Sequence, residues 1–180
     1  MIFFRTERLL VRNWRADDVE TLHALYNDRA VMRFFPRHVP LDECRARVER
    51  WGRQGAIDGY TFAPLMLRDQ PDAGMIGFCG LFAIVQDGLP RIGEHEIGWT
   101  IAPPHWRRGY AREAATGWLS QAFGRLGLER INAFTAQINE PSRAVMRSIG
   151  MRRVENGDFD HPNVDDGPLR RHVLYEITRS

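Results

Sequence analysis

The sequence predicts a mixed α/β fold of the α+β class, on three observations. Stretches of alternating or branched residues outnumber those with helical periodicity. A strand–helix–strand pattern stands once, at residues 94–138. An apolar content of 43% and a charged content of 27% over 180 residues suit a chain that folds around a sizeable core. No composition shift, linker or internal repeat divides the chain, so residues 1–180 are expected to form one domain.

Residues 6–15 (TERLLVRNWR) alternate in part and read as the first strand. Asp17 is placed to cap a helix over 18–27, with Glu20 closing a capping box. Val19, Leu22, Leu25 and Tyr26 give that helix one apolar face. Residues 29–40 read as irregular, broken by Pro36 and Pro40. A helix over 41–56 gathers Cys44, Val48 and Trp51 on one face and carries the Glu43–Arg47 pair one turn apart. Residues 60–68 and 75–85, rich in aromatic and branched side chains, form a hairpin about the turn DQPDAG. A strand follows at 94–101. The period then changes: Ala111, Ala114, Ala115, Trp118, Ala122 and Phe123 recur at helical spacing, and Gly127 is the stop. Residues 130–138 return to strand. Pro141 opens a short helix over 142–149 that ends at Gly150. Residues 151–160 and 172–178 are the last strands, separated by the polar loop HPNVDDGPLRR.

Composition excludes several classes of chemistry. All 25 basic residues are arginine, so a Schiff-base lysine, a P-loop lysine and a Ser–Lys dyad are impossible. A net charge of +2 without a long basic block argues against a nucleic-acid partner. No apolar run approaches the roughly 20 residues of a membrane span, and Met1-Ile2-Phe3-Phe4 meets Arg5 and Arg8 instead of extending into a signal-peptide core. Cys44 and Cys79 stand far apart with no CxxC pattern, so no disulfide framework is expected and a reducing cytoplasm is the expected compartment. The histidines are scattered, and His95-Glu96 does not continue as HExxH because position 99 is Trp. No metal is expected.

The informative stretch is the strand EIGWTI, the loop APPHWRRGYA and the alanine-rich helix after it. A loop that opens a helix presents unpaired backbone N–H groups, and the helix dipole adds positive potential there. Gly109 permits close backbone approach, and Arg107 and Arg108 add charge. Together these make a pyrophosphate site. GxGxxG and GxxxxGK[ST] are both missing, so a Rossmann site and a P-loop are not supported.

In chain order, EIGWTI, WRRGYAREA and INEPSRAVMRSIGM resemble the GNAT superfamily of acetyl-CoA-dependent N-acetyltransferases. More narrowly they are similar to the branch that acetylates ribosomal-protein N-terminal alanine and serine. The matching positions are Glu96-Ile97-Gly98-Trp99, Trp106 to Ala115, Asn139 with Ser142, and Ile149-Gly150-Met151; the opening TERLLVRNWRADD and the closing HVLYEI also resemble the branch. One departure stands in the loop: the superfamily's usual Gln or Arg three positions before the loop glycine is Trp106 here.

The resemblance implies a strongly twisted mixed sheet of about six to seven strands with about four helices, in which strands 94–101 and 130–138 run parallel but splay apart. Pantetheine would enter the gap and pair with backbone around Trp99, Thr100 and Ile101. Backbone N–H groups from Arg107 through Arg108, Gly109 and Tyr110 to Ala111, in the loop that Trp106 opens, would hold the pyrophosphate. It implies acetyl-CoA as co-substrate, no metal, an amine acceptor (a peptide or protein N-terminus or a small molecule), direct transfer in a ternary complex, and a monomer or homodimer. The alternative is a non-catalytic CoA-binding or regulatory domain of the same fold.

Acetyl transfer requires the amine to lose its proton, which a lysine-like amine does near pH 10.4 and an α-amine near 7.7–8.0. Glu96 is the first candidate base and Glu94 the second; they share a strand face by period two, while His95 faces the other way and reads as a packed or surface histidine. The resemblance makes Ser142 the donor to the leaving thiolate, against a side chain bonded to backbone in the first helical turn. Asn139 reads as a cap, and by resemblance as a contact to the cofactor or a positioning group. The oxyanion donor is expected to be a backbone N–H near Ile101. Phe34 and Phe35 are expected in the acceptor wall; Arg170 and Arg171 read as a solvated pair.

Overall fold

The computed structural model describes residues 1–70 and 72–179, so Pro71 of the expected DQPDAG turn lies outside the described residues. Its elements, in chain order, are β1 (Ile2–Arg5), β2 (Leu9–Arg12), α1 (Asp18–Asn27), α2 (Arg29–Met32), α3 (Leu41–Asp58), β3 (Phe62–Leu67), β4 (Met75–Ala83), β5 (His95–Ile101), α4 (Tyr110–Ser120), β6 (Arg130–Ala136), α5 (Glu140–Ser148), β7 (Arg152–Arg153), β8 (Phe159–Asp160) and β9 (Arg171–Thr178). A 3₁₀ turn at Pro103–His105 precedes α4, and a π-turn at Gln121–Arg125 follows it. The strands form one 9-stranded sheet in the order β1-β2-β3-β4-β5-β6-β9-β7, with β8 also on β9. Every pairing is antiparallel except β5 with β6, the two strands that α4 connects. Among the described residues no helix is long and apolar enough to cross a membrane.

The mixed α+β class stands, with more strands than expected. The added strand is β1, whose Phe3 and Phe4 cover the fully buried Trp118 of α4, each with its ring centroid 5.2 Å from the indole. A Cβ at Gly117 would run into the Phe4 ring, so the glycine lets the strand close over the helix. The expected strand over 151–160 is instead two short pieces, β7 and β8, each paired to β9. The added helix, α2, is a single turn inside the segment read as irregular; Asp28 caps it by accepting from the N–H groups of Ala30 and Val31.

The capping box at Asp17 does not form, since Asp17 makes no side-chain cap bond. The neighbouring carboxylate does more. Asp18 is buried, accepts from the Arg15 N–H at 2.8 Å, and receives both terminal nitrogens of buried Arg12 at 2.7 Å each. Burial of both charges is tolerated only because they satisfy each other in this fork geometry.

Two cores lie on opposite faces of the sheet. On one, Trp118, Ala114 and Ala115 of α4 and Met146 of α5 pack on Ile97, Ile131, Ala133, Val173 and Tyr175. On the other, α1 and α3 bring Trp14, Leu22, Tyr26, Cys44, Val48 and Trp51 onto Met66 and Phe78. The Glu43–Arg47 pair forms at 2.6 Å.

Replacing Asp18 with Ala strands a buried guanidinium. Urea unfolding is expected to show a loss of about 3–5 kcal/mol, with Asp18→Asn intermediate.

Candidate active site

β4 pairs along the whole of β5, from Gly77↔Ile101 to Ala83↔His95. The other edge of β5 meets β6 only at His95↔Ile131 and Glu96↔Asn132. Beyond that second rung the strands part. Which backbone groups this opens follows from alternation. Ala102 donates to Ile76, and Glu94 accepts from Ile84, across the β4 side. Even-numbered residues of β5 therefore turn their backbone polar groups to β4, and His95, Ile97, Trp99 and Ile101 turn theirs toward β6. His95 O is taken by the Asn132 amide at 3.2 Å, and Ile101 O by the Trp106 indole N–H at 2.6 Å. The rung at Glu96↔Asn132 takes the Ile97 N–H, so the groups open to the gap are the Ile97 carbonyl, the backbone of Trp99 and the N–H of Ile101. Thr100 lines the gap, but its backbone faces β4, so it is not one of the groups free to pair where such pairing was expected.

At the end of β5 the chain turns through Pro103–His105 into the loop before α4. Arg107 (φ 59°) and Gly109 (φ 82°) both occupy the left-handed region. The first α-helical bond into Gly109 comes from Glu113, which leaves the N–H groups of Tyr110, Ala111 and Arg112 without an intrahelical partner. The loop is braced from the β1–β2 turn. Arg8 donates to the Arg108 carbonyl at 2.9 Å, lies 4.7 Å from the Tyr110 ring centroid, and pairs with Glu113 at 2.6 Å. Glu113 also accepts from Thr6 Oγ1 at 2.5 Å and from the Arg8 N–H at 2.9 Å. These bonds hold its carboxyl below the usual carboxylate range.

A cleft of about 1190 Å³ joins the gap and the loop. Trp99, Thr100, Ile101, Trp106, Arg107, Gly109, Tyr110, Ala111, Asn139 and Ser142 all line it. Arg108, Glu94 and Glu96 do not, although Arg108 shapes the loop through its carbonyl. Asn139 caps α5 by accepting from the Ser142 N–H at 3.3 Å, and its amide donates to Thr135 Oγ1 at 2.9 Å and to Ser142 Oγ at 3.2 Å. The Ser142 oxygen thus accepts, and its own proton remains free to donate.

The two carboxylates differ. Glu94 is tied up: it accepts from Asn132 at 2.9 Å and Arg130 at 3.4 Å and lies 3.9 Å from Arg91, in a cluster that also holds Glu176. Glu96 sits on the last β5–β6 rung, and burial pushes its pKa up to about 7. His95 points to the other face, where its Nε2 meets the Tyr60 hydroxyl at 2.9 Å.

Two features of the cleft have no counterpart in the residue order. His161 and His172 line it with ring centroids 4.8 Å apart, against Phe134. Burial and the neighbouring imidazole push His161 down to about 4, and burial lowers His172. Tyr26 and Arg47 face each other across α1 and α3, with the guanidinium 4.9 Å from the ring centroid. The only early sign of the histidine pair is that the loop from 161 to 171 returns the chain to the strand it left. Among the described residues no group of three or more His, Cys, Asp or Glu is placed to hold a metal ion.

A family model described as an acetyltransferase (GNAT) domain matches residues 8–152. The chain belongs to the GNAT acetyltransferases. The family's acetyl-CoA fits an opened strand edge beside unpartnered helix-terminal amides. Among relatives of this acetyltransferase is the uncharacterized N-acetyltransferase YnaD of Bacillus subtilis, 36% identical over 151 residues that span 82% of this chain and 81% of that one. A GNAT-family acetyltransferase structure from Bacillus anthracis superposes with a TM-score of 0.79 at 28% identity, covering 99% of this chain and 98% of that one. The ribosomal L7/L12 α-N-protein acetyltransferase RimL, solved in complex with coenzyme A, shares the fold at a TM-score of 0.78 and 16% identity over 99% of this chain and 98% of its own.

Gly109→Ala forces a Cβ into the left-handed region at a cost of about 1–2 kcal/mol. Calorimetry is expected to show coenzyme A binding weakened by about tenfold.

Proposed function

We propose that this chain, as a single acetyltransferase domain over residues 1–180, transfers the acetyl group of acetyl-CoA directly to a primary amine, either a peptide or protein N-terminus or a small molecule. The carrying observation is that β5 and β6 part immediately beside the unpartnered amides of α4, on one continuous cleft. A cytoplasmic setting is in keeping with Cys44 and Cys79, both buried and unpaired.

The Ile97 carbonyl and the backbone of Trp99 offer the edge along which a pantetheine arm would pair. The amides of Gly109, Tyr110 and Ala111, with Arg107 beside them, face the place a pyrophosphate would take. Acetyl-CoA supplies an acyl group activated as a thioester. The Ile101 N–H, turned into the gap, is the donor to the thioester oxygen as charge develops there. Glu96 is the base. Its carboxyl lies off the cleft wall, while Ile97 and Gly98 line it, so it takes the amine proton through one water. Ser142, its oxygen already fixed by Asn139, passes its proton to the sulfur as the C–S bond breaks and is reprotonated, through water, by the second proton that the nitrogen loses on becoming an amide. The amide C–N bond forms as that bond breaks, and the proton held by Glu96 returns to solvent. Glu94, committed to Asn132 and Arg130, maintains the strand junction and is not the base.

The test is thiol release from acetyl-CoA across an amine panel, beside calorimetry of coenzyme A binding. Release with at least one amine supports the reading; tight coenzyme A binding without any release points to the non-catalytic alternative.

Glu96→Gln is expected to lower kcat/KM by about 10²–10⁴-fold, while Glu94→Gln acts mainly on stability. A base must be deprotonated to act, so kcat/KM is expected to rise as pH increases through about 7, the value to which burial lifts Glu96. In Glu96→Gln that limb disappears. Ser142→Ala is expected to lower kcat by about tenfold or more, and less for acyl donors with a more acidic thiol.

A further inference from the structure

This inference rests on the transferase reading and concerns the acceptor. On the α1–α3 side of the sheet the cleft is walled by rings: Tyr26, Phe34, Phe35 and Phe62, with Phe134 opposite. The charges there have one sign. Arg33 and Arg47 line the cleft, and the only acidic lining residue among those described is Glu140, which stands at the start of α5 and is paired with Arg143 and Arg147. Glu43 answers two arginines at once, Arg47 at 2.6 Å and Arg37 at 2.8 Å, so this corner keeps a positive surplus. Arg33 has no ion-pair partner among the described residues; its guanidinium lies 4.5 Å from the Phe34 centroid and 5.8 Å from that of Trp106. The imidazoles of His161, just after β8, and of His172 in β9 also line the cleft and add no negative charge. A polycationic amine meets like charge on this wall, whereas an anion meets a guanidinium whose fork matches a carboxylate.

We propose that the acceptor is a small aromatic amine that carries a carboxylate, its ring against the Tyr26–Phe34 wall and its carboxylate on Arg47, with Arg33 at the mouth. The ring-lined wall offers apolar contact to the acceptor's ring, and the two guanidiniums distinguish an α-amino acid from its amide or its decarboxylated form. A peptide N-terminus lacks a carboxylate beside its amine and gains nothing from this corner.

The test uses the whole chain with saturating acetyl-CoA and five probes: phenylalanine, phenylalaninamide, phenethylamine, alanine and spermidine. Phenylalanine is expected to exceed each of the others in kcat/KM by about tenfold or more, the size of one charge-assisted hydrogen bond or one well-buried ring. Arg47→Gln is expected to collapse the preference for phenylalanine over phenethylamine. Arg33→Ala, an exposed position outside any ion pair, reduces the same ratio without threatening the fold. Equal or better turnover of phenylalaninamide, phenethylamine or spermidine overturns the proposal, as does a ratio that survives both substitutions. Calorimetry of N-acetylphenylalanine against N-acetylphenethylamine on the coenzyme A-loaded protein reads the same corner without turnover. If that preference is present but no amine is acetylated, the acceptor class stands and the catalytic reading fails. If an amine is acetylated but the preference is absent, only the acceptor class fails.

Discussion

Parallel pairing between β5 and β6 stops after two rungs, and the site depends on that stop. Had the ladder continued, the Ile97 carbonyl and the backbone groups of Trp99 and Ile101 would be spent on β6 and no cleft would divide the sheet. The strands are held together below the parting by a polar clasp. Asn132, fully buried, donates to Glu94 and to the His95 carbonyl, while Arg130 and Arg91 tie Glu94 to Glu176 of β9. Above the parting β5 leans on β4, and β6 keeps all its rungs with β9. The opening thus costs only those bonds that a ligand backbone can replace.

The second constraint is the helix that spans the opening. α4 packs its alanines and Trp118 onto the sheet, which fixes the direction of its N-terminus. Positive φ at Arg107 and Gly109 turns the loop so that three amides stay unpartnered, and Arg8 and Glu113 keep it in that shape from the far end of the sheet. Placing those amides next to the strand edge lets one extended ligand be read by backbone alone at both ends. The side chains are left to decide chemistry and acceptor. Trp106 fits this division: where the wider family has a polar residue, its indole caps the one carbonyl at the end of β5 that would otherwise face the gap.

Much of this was legible in residue order. The change of period from EIGWTI to the alanine-rich helix marks β5–α4, and Gly109 and Pro141 mark two helix starts, because these depend on local propensity and turn chemistry. β1 was not legible, since two phenylalanines after a starting methionine have no period; only Trp118, more than a hundred residues away, explains them. The capping box failed because Asp17 is itself helical (φ −67°, ψ −13°) and not in the extended conformation from which a cap side chain reaches back, while its neighbour Asp18 is held by Arg12. Within the site, Glu94 and Glu96 look equivalent by spacing. Asn132 and Arg130, supplied by another strand, separate them. The histidine pair and the Tyr26–Arg47 contact join residues distant in sequence or on separate helices, which no spacing rule reaches.

The central claim is that two sets of backbone amides, on β5 and at the head of α4, are left open to receive one ligand. Amide hydrogen exchange read residue by residue, with and without coenzyme A, tests it directly. The account expects protection to rise at Trp99 and Ile101 and at Tyr110, Ala111 and Arg112, with little change along β4. Protection that rises elsewhere while both of these sets exchange at their free rates would contradict it.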